Sequence, residues 1–274
     1  METTRRGFAQ TAGMAAAFAA IPAARAAEDD GGRWADLAAQ LFPGRTLLDG
    51  ASVLSINAPY RAEDAAVVPV DLAILLADGD PRHVAKLTLI IDINPAPMAA
   101  TFTPGVGAGI DRISTRVRVN DYTNMHAVAE MTDGSFYSVA RFVKAAGGCS
   151  APALKQASDG IIEGTIRFRE FAAANEPGAA GRREAQVMIR HPNYSGMQMD
   201  QISHLYIAAD FLQTMQVWQG DQLLLAIEAG ISIAENPAFR FRFKPNNAAA
   251  FRVLGEASDG RHFSGSFPAD RTAT

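Results

Sequence analysis

Apolar and polar positions alternate with a period of two along most of this chain, after one helical interval near its start. Residues 34–42 set Trp34, Leu37, Ala38 and Leu41 at helical spacing, and Pro43-Gly44 ends the run. Residues 67–76 and 84–93 are rich in Val, Ile and Leu, which predicts strands. In 111–119, Ile113, Thr115, Val117 and Val119 fall on one face and Arg112, Ser114, Arg116 and Arg118 on the other. That is the pattern of a half-buried strand. Its polar face reads as solvated, with Arg116 and Arg118 as the alternative means of steering an anion or an acidic partner. Residues 126–131 and 136–143 flank Thr132-Asp133-Gly134-Ser135, a hairpin signal.

The pattern then breaks and resumes. Residues 145–153 are small, with no large apolar anchor, and read as a loop or flexible arm. Residues 172–181 form a second loop of Ala, Gly and Pro. Short strands are predicted at 164–168 and 185–189. Residues 215–218 and 223–227 flank a turn at 219–221. Phe239, Phe241 and Phe243 alternate with Arg240, Arg242 and Lys244. Residues 251–254 and 261–267 flank Ser258-Asp259-Gly260. Many short strands with regular turn signals predict an all-β chain of two sandwiches, the boundary falling between 149 and 164. Trp218 and the three phenylalanines are expected in the core.

The first 27 residues stand outside this pattern. Arg5-Arg6, an Ala-rich apolar stretch from 12 to 21 and Ala24-Arg25-Ala26 form the parts of a twin-arginine export signal. The stretch is too short to span a bilayer. The expected organisation is a signal at 1–27, a first sandwich at 28–149, a linker at 150–163 and a second sandwich at 164–274. The expected compartment is the bacterial periplasm. A net charge of −4 argues against nucleic acid or anionic membrane as partner.

One cysteine in 274 residues rules out an internal disulfide. An odd cysteine in an exported protein points to a reactive thiol or a link between two molecules, here a Cys149-linked dimer. Gly147 and Gly148 precede it, Ser150-Ala151-Pro152 follow, and no neighbour in sequence is large enough to bury it. Cys149 is therefore expected as an exposed thiol on a flexible arm of Gly147, Gly148 and Ser150. No motif supplies a general base, so an attachment point fits better than a nucleophilic enzyme. His83, His126, His191, His204 and His262 show no metal-binding spacing, and neither a metal nor a cofactor is expected. Gly105-Val-Gly107-Ala-Gly109 lacks a following helix and reads as a loop. Ser264-Gly265-Ser266 has no nucleophile-elbow pattern.

Several stretches, taken in order, resemble a known pair of proteins. Val67-Val68-Pro69-Val70, Ile91-Asp-Ile-Asn94-Pro95-Ala-Pro97, the stretch from Ala127 through Glu130-Met131 to Phe136, and Lys144-Ala-Ala-Gly147-Gly148-Cys149 resemble SoxY. Ile189-Arg190-His191-Pro192, Trp218-Gln-Gly220 and Ala234-Glu235-Asn236-Pro237 through Lys244 resemble SoxZ. The resemblance implies two immunoglobulin-like sandwiches and a carrier whose Cys149 holds thiosulfate-derived sulfur for separate oxidising and hydrolysing enzymes. It is similar to fused carriers associated with quinoprotein dehydrogenases, which implies such a system as partner and a small sulfur anion as cargo. The alternative is a non-catalytic assembly module for such a dehydrogenase, with Cys149 dispensable. Two departures stand out. Ser150 replaces a glycine, and the cysteine sits inside the chain rather than at a free end.

Overall fold

The computed structural model describes residues 32–77, 79–152, 162–171 and 181–269. The expected signal, most of the expected linker and most of the 172–181 loop lie outside them. Helix α1 (Arg33–Leu41) precedes β1 (Leu47–Asp49), β2 (Leu54–Asn57), β3 (Val68–Ile74), β4 (Val84–Ile91), β5 (Met98–Pro104), β6 (Arg112–Val117), β7 (Thr123–Met131) and β8 (Phe136–Val143). The second half holds β9 (Ile166–Phe171), β10 (Arg183–Ile189), β11 (Leu212–Gln219), β12 (Gln222–Ala229), β13 (Ala238–Phe243), β14 (Ala250–Ala257) and β15 (His262–Pro268). These are two immunoglobulin-like β-sandwiches with one short helix.

The sandwiches share their sheets. One sheet runs β1-β8-β7-β4-β5-β12-β11-β14-β15, and the other runs β2-β3-β6-β13-β10-β9. Both cross from the first half to the second through an antiparallel pair. Phe102 of β5 faces Ile227 of β12, and Ile113 of β6 faces Phe241 of β13. At the seam Phe102, which is fully buried, meets Phe239 edge-on at 6.1 Å between ring centroids. One continuous apolar core fills both halves. A strand added edge to edge satisfies backbone groups that would otherwise be bare, so each half closes the other's open edges.

The glycine-rich loop has a steric reason to be here. A Cβ on Gly105 would lie 1.8 Å from the Leu223 carbonyl oxygen, so only glycine admits the β12 backbone this close. Helix α1 lies against the outer face of the larger sheet. Trp34 stacks on His126 at 3.6 Å, while Leu41 and Phe42 cover Ile90, Val128 and Phe136.

Three expectations change. β1, β2 and β5 were not read from the sequence. Trp218 is half-buried rather than core, because alternation along β11 sends Met215 and Val217 inward and Trp218 outward, under the Arg252 guanidinium. Arg118 is not on a solvated face; it is 2% exposed. β6 ends at Val117, and the Arg118 N–H donates to the Ser232 carbonyl, so the second half covers what alternation alone would leave outside.

Candidate functional site

The Cys149 turn grows from the end of β8. Lys144 closes that strand with hydrogen bonds to both sides of the 60–62 segment: its N–H donates to Tyr60 (2.7 Å), and its carbonyl accepts from Ala62 (3.1 Å). Its ammonium lies 5.0 Å from the centre of the Tyr60 ring. The chain then folds over the residues that follow β6. Gly147 N–H donates to the Asn120 carbonyl (2.8 Å) and Gly148 N–H to the Val119 carbonyl (2.9 Å). Gly147 has φ +80°, the left-handed conformation that favours glycine. Gly148 is needed for space. A Cβ there would sit 2.0 Å from the Ala65 carbonyl oxygen and 2.7 Å from that of Val119. Ser150 closes the turn, its N–H and Oγ both donating to the Gly147 carbonyl at 3.3 Å. The serine that departs from the glycine pattern thus ties the turn shut.

The thiol is not presented to solvent. Cys149 is 0% exposed, and burial pushes its pKa up from 9.0 to about 11, the Arg118 charge opposing that shift in part. The sequence expectation of an exposed thiol on a free arm is corrected here. Burial comes not from sequence neighbours but from chain far away. Ala65 and Val119 line the Gly148 side, and Ser195 of the second half donates its Oγ to the Cys149 carbonyl at 2.5 Å. Ser195 is itself buried and fixed by Gln198, whose Oε1 accepts from the Ser195 N–H at 2.9 Å. Of the expected arm residues, Gly148 is buried, Gly147 and Ser150 are exposed, and all three belong to the closed turn.

Beside the turn lies the residue that sequence reading placed outside. Arg118 Nη1 donates to the Asn193 and Ile233 carbonyls at 2.7 Å, and its Nε has no partner. Asn193 in turn holds the seam, its Nδ2 donating to Ile233 and its Oδ1 accepting from Leu212 N–H.

Comparison with protein families places this turn. The model described as sulfur oxidation protein SoxY matches residues 38–149, ending on the cysteine, and the one described as sulphur oxidation protein SoxZ matches 172–268. The chain belongs to these families, as a SoxY–SoxZ fusion. The two families make it a sulfur-oxidation carrier with sulfur-oxidation enzymes as partners. In this SoxYZ fusion the thiol belongs to the SoxY half and the serine over it to the SoxZ half. No curated protein matches the chain in sequence. Among solved structures, superoxide reductase (neelaredoxin) from Ignicoccus hospitalis aligns at 10% identity and TM-score 0.30, covering 34% of this chain and 79% of its own. A candidate superoxide reductase from Thermotoga maritima aligns at 13% identity and TM-score 0.31, covering 36% and 92%.

The histidines of the SoxYZ fusion divide by burial. His83, His204 and His262 are exposed. His126 is buried, with Nδ1 3.0 Å from Asp92 Oδ1. His191 is brought within ligand distance of Glu163 and Asp210, a trio the sequence spacing did not announce. Its chemistry does not suit a metal. The Asn193 N–H donates to His191 Nδ1 at 3.0 Å, so the neutral ring carries its proton on Nε2, the atom that faces the two carboxylates. Arg261 already fills the gap, pairing with Glu163, Asp210 and Asp259. Two surface clefts, one lined by Asp71, Arg112 and Arg141 and the other by Phe42, Lys86 and Glu130, do not include Cys149. Among the described residues, no helix is long and apolar enough to cross a membrane.

Proposed function

We propose that this chain is a periplasmic carrier, exported by the twin-arginine route, on which Cys149 holds thiosulfate-derived sulfur while separate enzymes oxidise, hydrolyse and release it. A quinoprotein dehydrogenase system is the proposed setting. One observation carries the reading: the SoxY match ends on the chain's single cysteine, set in a Gly-Gly-Cys turn. The same turn is the proposed arm. Closed, it keeps the thiol neutral and away from solvent; open, it offers an ordinary thiol to a visiting enzyme.

The energetics allow this exchange. Apart from the Ser150 bonds within the turn, three hydrogen bonds tie it to the surrounding chain, from Gly147, Gly148 and Ser195. Each contributes about 1 kcal/mol net. Burying a small side chain such as cysteine adds about 1 kcal/mol. Against them stands the ordering of the backbone, about 1–2 kcal/mol for each residue fixed. The opposing terms are of one size, so the closed and open arms lie within a few kcal/mol of each other. Burial in the resting state is thus compatible with a carrier, provided the turn opens as a unit.

The test is intact-mass analysis of protein exported by its native host on thiosulfate, before and after a thiol reductant. Reductant-labile mass on Cys149 is expected. A population of free thiol alone, with the partner enzymes present, overturns the reading.

A further inference from the structure

The SoxYZ fusion contains a buried cation with no evident structural need for its charge. Arg118 is 2% exposed, and among the described residues it forms no ion pair, the Glu235 carboxylate acting on its charge only weakly compared with burial. Its Nη1 is held by the Asn193 and Ile233 carbonyls, with Ile231 O at 3.4 Å, and its Nε has no partner. Backbone carbonyls orient a guanidinium but do not neutralise it, and an uncompensated charge in the interior is strongly unfavourable. A methionine or leucine would fill this volume without that cost. The charge calls for an anion.

The position of the anion follows from the same contacts. Arg118 precedes Val119, whose carbonyl receives the Gly148 N–H. The carbonyl of Asn193 that holds its Nη1 lies two residues before Ser195, whose hydroxyl holds the Cys149 carbonyl. The guanidinium and the backbone of the Cys149 turn are therefore framed by the same two strips of chain. The charged groups that act on Arg118 are Cys149 and Glu235. Cys149 acts on Arg118 more strongly than half-buried Glu235 does, and the hydrogen bonds of these two strips set its turn beside the guanidinium, whose Nε has no hydrogen-bond partner.

We propose that Arg118 is the counter-cation of the cargo: with the arm closed, it receives the anionic end of a sulfur group borne on Cys149. This rests on the carrier reading and adds a selection rule to it. A thiosulfonate, sulfonate or ionised persulfide on Cys149 brings a charge into the interior and needs a partner there. A neutral adduct gains nothing from Arg118. Anionic sulfur is thus retained behind the closed turn, and neutral disulfides are left more open to exchange. Arg118 acts as a positioning residue, since the bond-making steps belong to the visiting enzymes.

The experiment uses the purified mature chain loaded in two ways. Tetrathionate converts the Cys149 thiolate to Cys149-S-SSO3⁻ and releases thiosulfate. Methyl methanethiosulfonate gives Cys149-S-SCH3 and releases methanesulfinate. Removal of each adduct by dithiothreitol is followed by intact mass, in the folded chain and in the chain unfolded by denaturant. The ratio of unfolded to folded rate is the protection of that adduct. Protection of the anionic adduct is expected to exceed that of the neutral one by about tenfold or more, the value of one charge-assisted hydrogen bond. Arg118→Gln is expected to bring the two together by lowering the anionic value alone, and Arg118→Lys to restore part of the difference. Equal protection in the wild type overturns the proposal, as does an Arg118→Gln variant that lowers both values alike. The wild-type comparison decides even where Arg118→Gln does not fold. Because the adducts are made in vitro, the result is independent of whether Cys149 is loaded in the host, which tests the carrier reading alone.

Discussion

Gly148→Ala tests whether the closed turn is what shields the thiol. The added Cβ would fall 2.0 Å from the Ala65 carbonyl oxygen, 2.5 Å from its carbon and 2.7 Å from the Val119 oxygen. All three are backbone atoms, so no side chain can rotate away and the turn itself must move. Overpacking of this kind costs about 1–3 kcal/mol. The open arm has no such contact, so the whole cost falls on the closed state. At about 1.4 kcal/mol per tenfold, the fraction open rises about 5- to 150-fold. Gly147→Ala is the control. A Cβ there meets nothing within 4 Å and costs only the left-handed φ of +80°, about 1–2 kcal/mol. Alkylation of Cys149 by iodoacetamide, followed by intact mass at pH 8 on samples shown to be folded by their thermal transition, is expected to run fastest in Gly148→Ala. Gly147→Ala should be intermediate and the wild type slowest. A folded Gly148→Ala chain that reacts no faster than the wild type would refute the reasoning, because the thiol would then be reached by some route other than this turn.

Three further outcomes follow from the geometry. The logarithm of the wild-type alkylation rate should keep rising with pH past the ordinary thiol value of 9.0 toward about 11, since the closed state holds its proton that far, whereas a plateau at 9 would mean an exposed thiol. By the same linkage the closed fold keeps its full stability below pH 9 and loses up to about 2–3 kcal/mol between 9 and 11, visible in denaturation midpoints. Phe102→Ala removes a fully buried ring that meets Phe239 across the seam and should cost about 3–5 kcal/mol, with Trp34 and Trp218 reporting one common midpoint; separate midpoints would show that the halves unfold independently. Arg261→Gln should raise the pKa of His191, read from its ring protons by NMR. Burial and the Arg261 charge hold that pKa below 6.5 while Asp210 and Glu163 oppose them, so acid below 6.5 destabilises the wild type through His191, and the variant less.

The strands that could be read in the sequence are those whose one face is dry. β13 shows Phe239, Phe241 and Phe243 inward, and β6 shows Ile113, Thr115 and Val117 buried against half-buried Arg112, Ser114 and Arg116. The Asp-Gly turns are equally plain, with Gly134 at φ +83° and Gly260 at +85°. β5 escaped because its MAATFTP run follows Pro95 and Pro97, ends at Pro104, and is buried on both faces at Ala99 through Phe102, which erases alternation. The site was half legible. Cys149 and its glycines stood out by composition. Their burial did not, because Ser195 lies 46 residues away and belongs to the other sandwich. Arg118 was misplaced for the same reason: period two describes a strand and its own sheet, and says nothing of a second domain laid over the outer face.

The position of Lys144 limits how far the Cys149 thiol can travel. Cys149 lies only five positions beyond that fastening. Fully drawn out, this upstream leash is about 17 Å long. That leash caps the radius of the thiol whatever the chain does downstream, so in the proposed carrier a visiting enzyme must bring its own catalytic atoms within that distance of the end of β8.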